Sequence, residues 1–170
     1  MRLIWCILLT FASATSLAAC EEYSHDYDTF KISFSTPPGV TAQVDWGTGI
    51  SWLATNVKLS TGEEVFYWSP TKLESPESAS KENLAKLWDD ITATERSPTT
   101  ITKLDNGDYL VSGRMVRLGS MFTSVLRTFD INGDGNIDAT MKWNGQGKVK
   151  YDTLNYLAST TKINLEPNWN

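Results

Sequence analysis

Ile101-Thr102-Lys103-Leu104, then Asp105-Asn106-Gly107-Asp108, then Tyr109-Leu110-Val111-Ser112-Gly113-Arg114-Met115-Val116, is the stretch that decides the fold class. Two runs rich in β-branched, aromatic and aliphatic residues flank an Asn-Gly pair. Asn-Gly suits a two-residue type I′ turn, in which both central residues take positive φ. The stretch predicts an antiparallel hairpin in the middle of the chain. Gly119-Ser120 marks the next turn, and 121–129 continues as a strand. Ile137, Ala139, Met141 and Trp143 then alternate with Asp138, Thr140 and Lys142, the period of a further strand. Successive hairpin-linked strands, with no helix between them, favour an antiparallel sheet over a βαβ one.

Toward the N-terminus the same alternation recurs. Phe30, Ile32 and Phe34 face one way, Lys31 and Ser33 the other, until Pro37-Pro38-Gly39 ends the run. Further strands are expected over 42–46, 50–59 and 64–68, separated by Gly47, Gly49 and Thr61-Gly62 and stopped by Ser69-Pro70. Leu84, Leu87, Trp88 and Ile91 recur at helical spacing. Ser75 or Ser78 is available as cap and Pro76 suits a first turn. Tyr151, Leu154 and Ala158, beside Leu157 and Thr161, predict a closing helix. The fold class expected is α+β: one domain over 29–165, a mostly antiparallel sheet with two main helices, and a tail over 166–170.

Residues 1–19 have the layout of a signal peptide. A short positive start, Met1-Arg2, precedes an apolar run over 3–9, and small residues follow. The strongly apolar part is far shorter than the ~20 residues a spanning helix needs, and Glu21 stops it. Leu17-Ala18-Ala19-Cys20 resembles the lipobox of bacterial lipoproteins, in which the cysteine is lipidated and becomes the first mature residue. The resemblance implies a lipid anchor on Cys20 and a place in the cell envelope. With Glu21 rather than Asp after the cysteine, it implies the outer membrane facing the periplasm. Residues 20–28 are polar and acidic, hold His25, the chain's only histidine, and are expected to form a short tether.

The chain has two cysteines, Cys6 and Cys20. One would leave with the leader and the other would become a thioether, so the domain is expected to stand without a disulfide. The formal net charge is −5. It becomes one unit more negative if Arg2 leaves with the leader, which argues against nucleic acid as a partner. A single histidine disfavours His-based acid/base work and a Ser-His-Asp triad. Without a His or Cys cluster a zinc site of the usual ligands is not expected. No Gly-rich phosphate loop follows a strand and opens a helix.

One stretch carries ligand chemistry. Asp130, Asn132, Asp134, Asn136 and Asp138 stand at positions 1, 3, 5, 7 and 9 of a loop whose sixth position is Gly135 and whose eighth is Ile137. Calcium takes many hard oxygens at close range, and side chains at alternate loop positions converge when glycine permits the turn. The stretch resembles an EF-hand-type calcium loop, which implies Ca²⁺ as a ligand. It departs from the family at position 12, where Met141 replaces the bidentate Glu, and in the alternating exit over 139–143. A hairpin turn carrying a weak site, with a dissociation constant on the order of 10⁻⁴–10⁻³ M, is the expectation. The alternative is an acidic turn without metal, since Asn, Asp and Gly also form turns.

Beyond the leader lie Trp46, Trp52, Trp68, Trp88, Trp143 and Trp169. Core and rim packing is the expected use of most of them. Trp46 and Trp52, near glycines, are the expected ligand-facing exceptions, on a glycan or peptide groove. The element order, closing on the helix of Tyr151, Asp152 and Leu154, resembles PsbP/Mog1/DcrB-like domains, small exported or lipid-anchored proteins often without enzymatic activity. Three functions follow in order of preference. The first is a lipid-anchored, non-enzymatic binding or assembly module acting on an envelope protein or ligand. The second is an inhibitor or immunity-type lipoprotein against an envelope-directed enzyme. The third is a hydrolase using two carboxylates in a cleft.

Overall fold

The computed structural model describes residues 19–47, 54–89, 92–97, 99–147 and 149–165. The leader to residue 18, Trp52, Ile91 and the tail from 166 lie outside the described residues. In chain order the elements are β1 (Glu22–Asp26), β2 (Phe30–Ser35), β3 (Ala42–Asp45), β4 (Thr55–Leu59), β5 (Glu64–Tyr67), β6 (Thr71–Ser78), α1 (Lys81–Trp88), β7 (Ala93–Arg96), β8 (Thr100–Lys103), β9 (Tyr109–Arg117), β10 (Ser120–Phe129), β11 (Asn136–Gln146), α2 (Tyr151–Thr160) and β12 (Lys162–Leu165). The fold is α+β, a single domain with two helices and an antiparallel sheet.

The large sheet runs β3-β4-β5-β11-β10-β9-β7. β5 and β6 pair end to end along one edge of β11, and β7 and β8 do the same along β9. The breaks fall at Ser69-Pro70 and near Ser97. A small sheet, β1-β2-β12, packs with α2 on one face of the large one. That face carries the main core: Phe30, Ile32 and Phe34 from β2, Val125 and Trp143 from the large sheet, and Leu154 and Leu157 from α2. Trp143 lies edge-on to Phe34 at 5.1 Å, and its indole N–H donates to the Thr161 hydroxyl at 3.0 Å. The Glu63 carboxylate, from the β4–β5 turn, accepts the Lys150 N–H at the start of α2. That puts negative charge where the helix dipole favours it. A second cluster, Leu84, Trp88, Val111, Met115, Leu126 and Ile137, lies under α1 on the opposite face. Trp88 sits so close over Gly113 that a Cβ there would lie 2.5 Å from its ring.

Three expectations are corrected. The 101–116 hairpin forms, but Asn106-Gly107 is not a type I′ turn. Leu104 N–H donates to Asp108 C=O, Gly107 N–H donates back to Leu104 C=O, and Gly107 has positive φ while Asn106 does not. This is a three-residue loop ending in a left-handed glycine. The I′ geometry falls one hairpin later, on Leu118 (φ 49°) and Gly119 (φ 73°), between the paired Arg117 and Ser120. Ser75, Pro76 and Ser78 belong to β6 rather than to the start of a helix. The N-cap is Ser80, whose hydroxyl accepts the Asn83 N–H. Pro76 is tolerated because β6 is a sheet-edge strand. Within the expected tether, Glu22–Asp26 is instead β1, registered on β2 from Glu22↔Ser35 to Asp26↔Lys31. Tyr23 in the strand and Tyr27 just beyond it pack on the core, which the acidic composition obscured.

Candidate functional site

The aspartate loop joins β10 to β11 at one end of the sheet. The Asp130 carboxylate accepts the N–H groups of Gly133, Asp134 and Gly135 at 2.7, 3.2 and 2.8 Å. Asp138 accepts the N–H groups of Ile131 and Asn132 and the Asn132 side-chain amide at 2.8, 3.1 and 2.7 Å. Asp134 accepts the Asn136 N–H at 2.9 Å, which holds its carboxyl below the usual range. An ionised carboxylate offers about four acceptor sites. Asp130 and Asp138 therefore have about one left each, and only Asp134 keeps most of its capacity. Asn136 contributes its backbone N–H to this network. Among the described residues no three His, Cys, Asp or Glu side chains converge as a metal-holding group. The loop organises itself around its carboxylates, and a cation would share them with the amides.

Behind the loop lies a buried ion pair. Arg127, 4 % exposed, donates to Asp108 at 2.7 Å and to the Ser159 carbonyl at 3.2 Å. Burial lowers the guanidinium's pKa from its ordinary value, and Asp108 opposes the shift. The other Asp108 oxygen accepts the Asp130 N–H at 2.9 Å, so the pair fixes the start of the aspartate loop. Asp108 and Asp138 are buried carboxylates, each engaged as an acceptor by fixed donors.

Cys20 is exposed, with Sγ 3.1 Å from the Tyr156 hydroxyl on α2. Only one residue separates it from β1. The Glu21 carbonyl accepts the Thr36 N–H at 2.9 Å and the Ala19 carbonyl accepts the Gly39 N–H at 3.4 Å, so residues 19–21 are already bonded to the domain. His25, in β1, stacks on Trp46 at 5.0 Å. Trp46 is partly buried and packs on Phe34 and the main core.

The open surface lies elsewhere, on the α1 face of the large sheet. Register sets out its rows. Asp45, Asn56, Phe66, Asn144, Ser124 and Gly113 are consecutive cross-strand neighbours. Lys58, Glu64, Gln146 and Phe122 belong to the row beside it. α1 covers only the β9–β10 end, and the remainder forms two adjoining hollows that share Phe66, of about 730 and 430 Å³. The larger is lined by Gln43, Asn56 and Gln146, and the smaller by Trp68, Leu87, Phe122 and Asn144. Phe66, Trp68 and Phe122 are half-exposed and meet edge to face, with centroids 6.0 and 6.2 Å apart. Lys58 and Glu64 pair at 3.4 Å on the surface. Lys142 reaches to the Trp88 carbonyl, at the C-terminus of α1, at 2.6 Å.

The structure thus places the aspartate residues together, puts Trp46 on the core, and brings Phe66, Trp68 and Phe122 together as a partly exposed aromatic group. A signal for two of these existed. In the β5 segment Val65 and Tyr67 face inward, so Phe66 and Trp68 share the outward side with Glu64. The chain matches no protein-family model, and no curated protein or solved structure matches it either.

Proposed function

We propose that this chain is a lipid-anchored lipoprotein of the cell envelope, held through Cys20 in the outer membrane facing the periplasm, and that it works as a non-enzymatic binding module. The observation that carries the binding role is the uncovered sheet face, where three half-exposed aromatic rings stand among amide side chains in adjoining hollows. Concave surfaces that combine apolar rings with a few polar groups are the usual form of a ligand site. Support for the anchor comes from the lipobox-like Leu17-Ala18-Ala19-Cys20 and from the surface position of Cys20. The 130–138 loop adds a weak Ca²⁺ site that stiffens the β10–β11 turn. Metabolic labelling with a fatty acid and membrane fractionation test the anchor. Wild type should carry label and sediment with membranes, and Cys20→Ser should do neither. A Cys20→Ser protein that fractionates as wild type refutes the anchor.

A second reading has one observation in its favour. Leu118 is 89 % exposed at the tip of the β9–β10 hairpin, in a left-handed conformation that leucine rarely takes. A protruding apolar tip of that kind suits insertion into a partner's cleft, as an inhibitor or immunity-type lipoprotein would require.

A further inference from the structure

We infer that the uncovered face binds a neutral glycan chain, laid across β3, β4, β5, β11 and β10. The inference rests on the binding-module reading and names its ligand class. Four features of the face point to it.

The aromatic rings come first. Phe66, Trp68 and Phe122 present parts of their surfaces to solvent on the sheet side that α1 leaves open. Sugar rings have apolar C–H faces and polar rims, so they stack on aromatic side chains while their hydroxyls stay hydrogen-bonded. Amides come second. Gln43, Asn56, Asn144 and Gln146 line the hollows, and each amide offers both donors and an acceptor, the pairing that hydroxyl and acetamido groups need. Asn144 is buried, its side-chain oxygen accepting the Ser124 hydroxyl at 2.9 Å and its NH₂ reaching the Lys142 carbonyl, so the exposed Gln43, Asn56 and Gln146 are the amides that meet the ligand.

Charge comes third. The acids on the face are Asp45, Glu63 and Glu64 and the bases Lys58, Lys142 and Arg117. Glu64 is paired with Lys58, Glu63 is turned to the start of α2, and Lys142 is turned to the end of α1. The face thus presents opposite signs in near balance, which favours an uncharged ligand over an acidic or basic peptide. Shape comes last. Five adjacent strands span about 19 Å at ~4.8 Å each, and the surface across them is open and elongated. That suits an extended chain of several sugar units better than a compact small molecule.

Two-dimensional amide NMR of the soluble Cys20→Ser domain, titrated with chitohexaose and separately with cellohexaose to millimolar concentration, tests the assignment. The expected result is shift changes confined to Asn56, Phe66, Trp68, Phe122, Asn144 and Gln146 with at least one of the two. Trp68→Ala should weaken that binding about three- to tenfold, the usual worth of a stacked ring. Asn56→Ala, on an exposed side chain that the fold does not need, should weaken it as well. Silence to both sugars overturns the glycan assignment. The same domain is then screened against a displayed library of apolar peptides. Peptide binding on this face that Trp68→Ala abolishes leaves the binding-module reading standing without the glycan. A face silent to sugars and peptides, or one closed by self-association, overturns both.

Discussion

A guanidinium taken out of water needs a partner, and Arg127 has one charged partner, Asp108. Removing one member of such a pair leaves the other charge buried and uncompensated, at a cost of about 3–5 kcal/mol. Asp108→Asn should lower the unfolding free energy read from urea melts by that much, and a further Arg127→Met change should recover most of the loss. A single variant as stable as wild type would show that the pair does not hold this end of the domain. Leu118 presents the opposite case, a side chain that works against its backbone. Left-handed geometry costs an L-residue about 1–2 kcal/mol, and Asn tolerates it better than Leu. Nothing buried is lost by the change, since Leu118 is almost wholly exposed. Leu118→Asn should therefore raise the melting temperature, and a fall would mean that the leucine packs on something in the folded monomer. If the tip engages a partner, the same variant gains stability and loses that interaction.

At the scale of elements, what was legible in the sequence was what local periodicity controls. β2 and β11 were readable because apolar residues alternate through them, β9 and β10 because β-branched and aliphatic runs are set off by Asn106-Gly107 and Gly119-Ser120, and α2 because Leu154, Leu157 and Ala158 fall on one side. β1 was not, since Tyr23 and, just beyond the strand, Tyr27 stand among acids that read as tether and meet Phe34 and Phe30 of β2 only once the chain has folded back. β6 was missed because Pro76 and its serines imitate a helix start, while the true start depends on Ser80. The binding face was the least legible part. It joins residues of β3, β4, β5, β10 and β11, and only non-local register brings them together. The aspartate loop was legible as a turn rich in ligand-type residues, though its network of amides could not be read. That network makes the loop sensitive to acid. The Asn136 N–H depresses the Asp134 pKa, so its stabilising effect is complete above the unfolded carboxyl value of about 3.9 and fades as pH falls through the lower folded value. Asp134→Asn should be less stable than wild type near neutral pH and lose that deficit on acidification, as read from melting temperature against pH. A deficit unchanged with pH would assign it to packing. Millimolar Ca²⁺ should raise the wild-type melting temperature and leave an Asp130→Ala, Asp134→Ala double variant unmoved. An equal response in the two would remove calcium from the account of this loop.

Over the whole molecule, the two ends of the proposed function lie on opposite faces of one sheet. Val125, Arg127 and Trp143 point toward α2, and Cys20 lies against that helix through Tyr156. Phe66, Asn144 and Phe122 point the other way. Because the Glu21 carbonyl is bonded to Thr36 and β1 begins at Glu22, an anchor on Cys20 has almost no slack. A lipidated chain would then lie with the outer side of α2 toward the bilayer and the amide and aromatic face turned away from it, toward whatever fills the periplasm. A flexible tether would remove that orientation. Asp152 and Lys58 measure it. Asp152 is exposed on the same stripe of α2 as Tyr156, four residues earlier, and Lys58 is exposed on the opposite face of the sheet. Fluorophores placed by Asp152→Cys and Lys58→Cys in the membrane-anchored protein should differ in quenching by nitroxide-labelled lipids, strongly at 152 and weakly at 58. A Gly/Ser spacer of about ten residues between Cys20 and Glu21, with a root-mean-square reach of about 17 Å, should bring the two sites close to equal. Equal quenching without the spacer would mean that the anchor does not orient the domain, and presentation of the binding face would then depend on the ligand rather than on the fold.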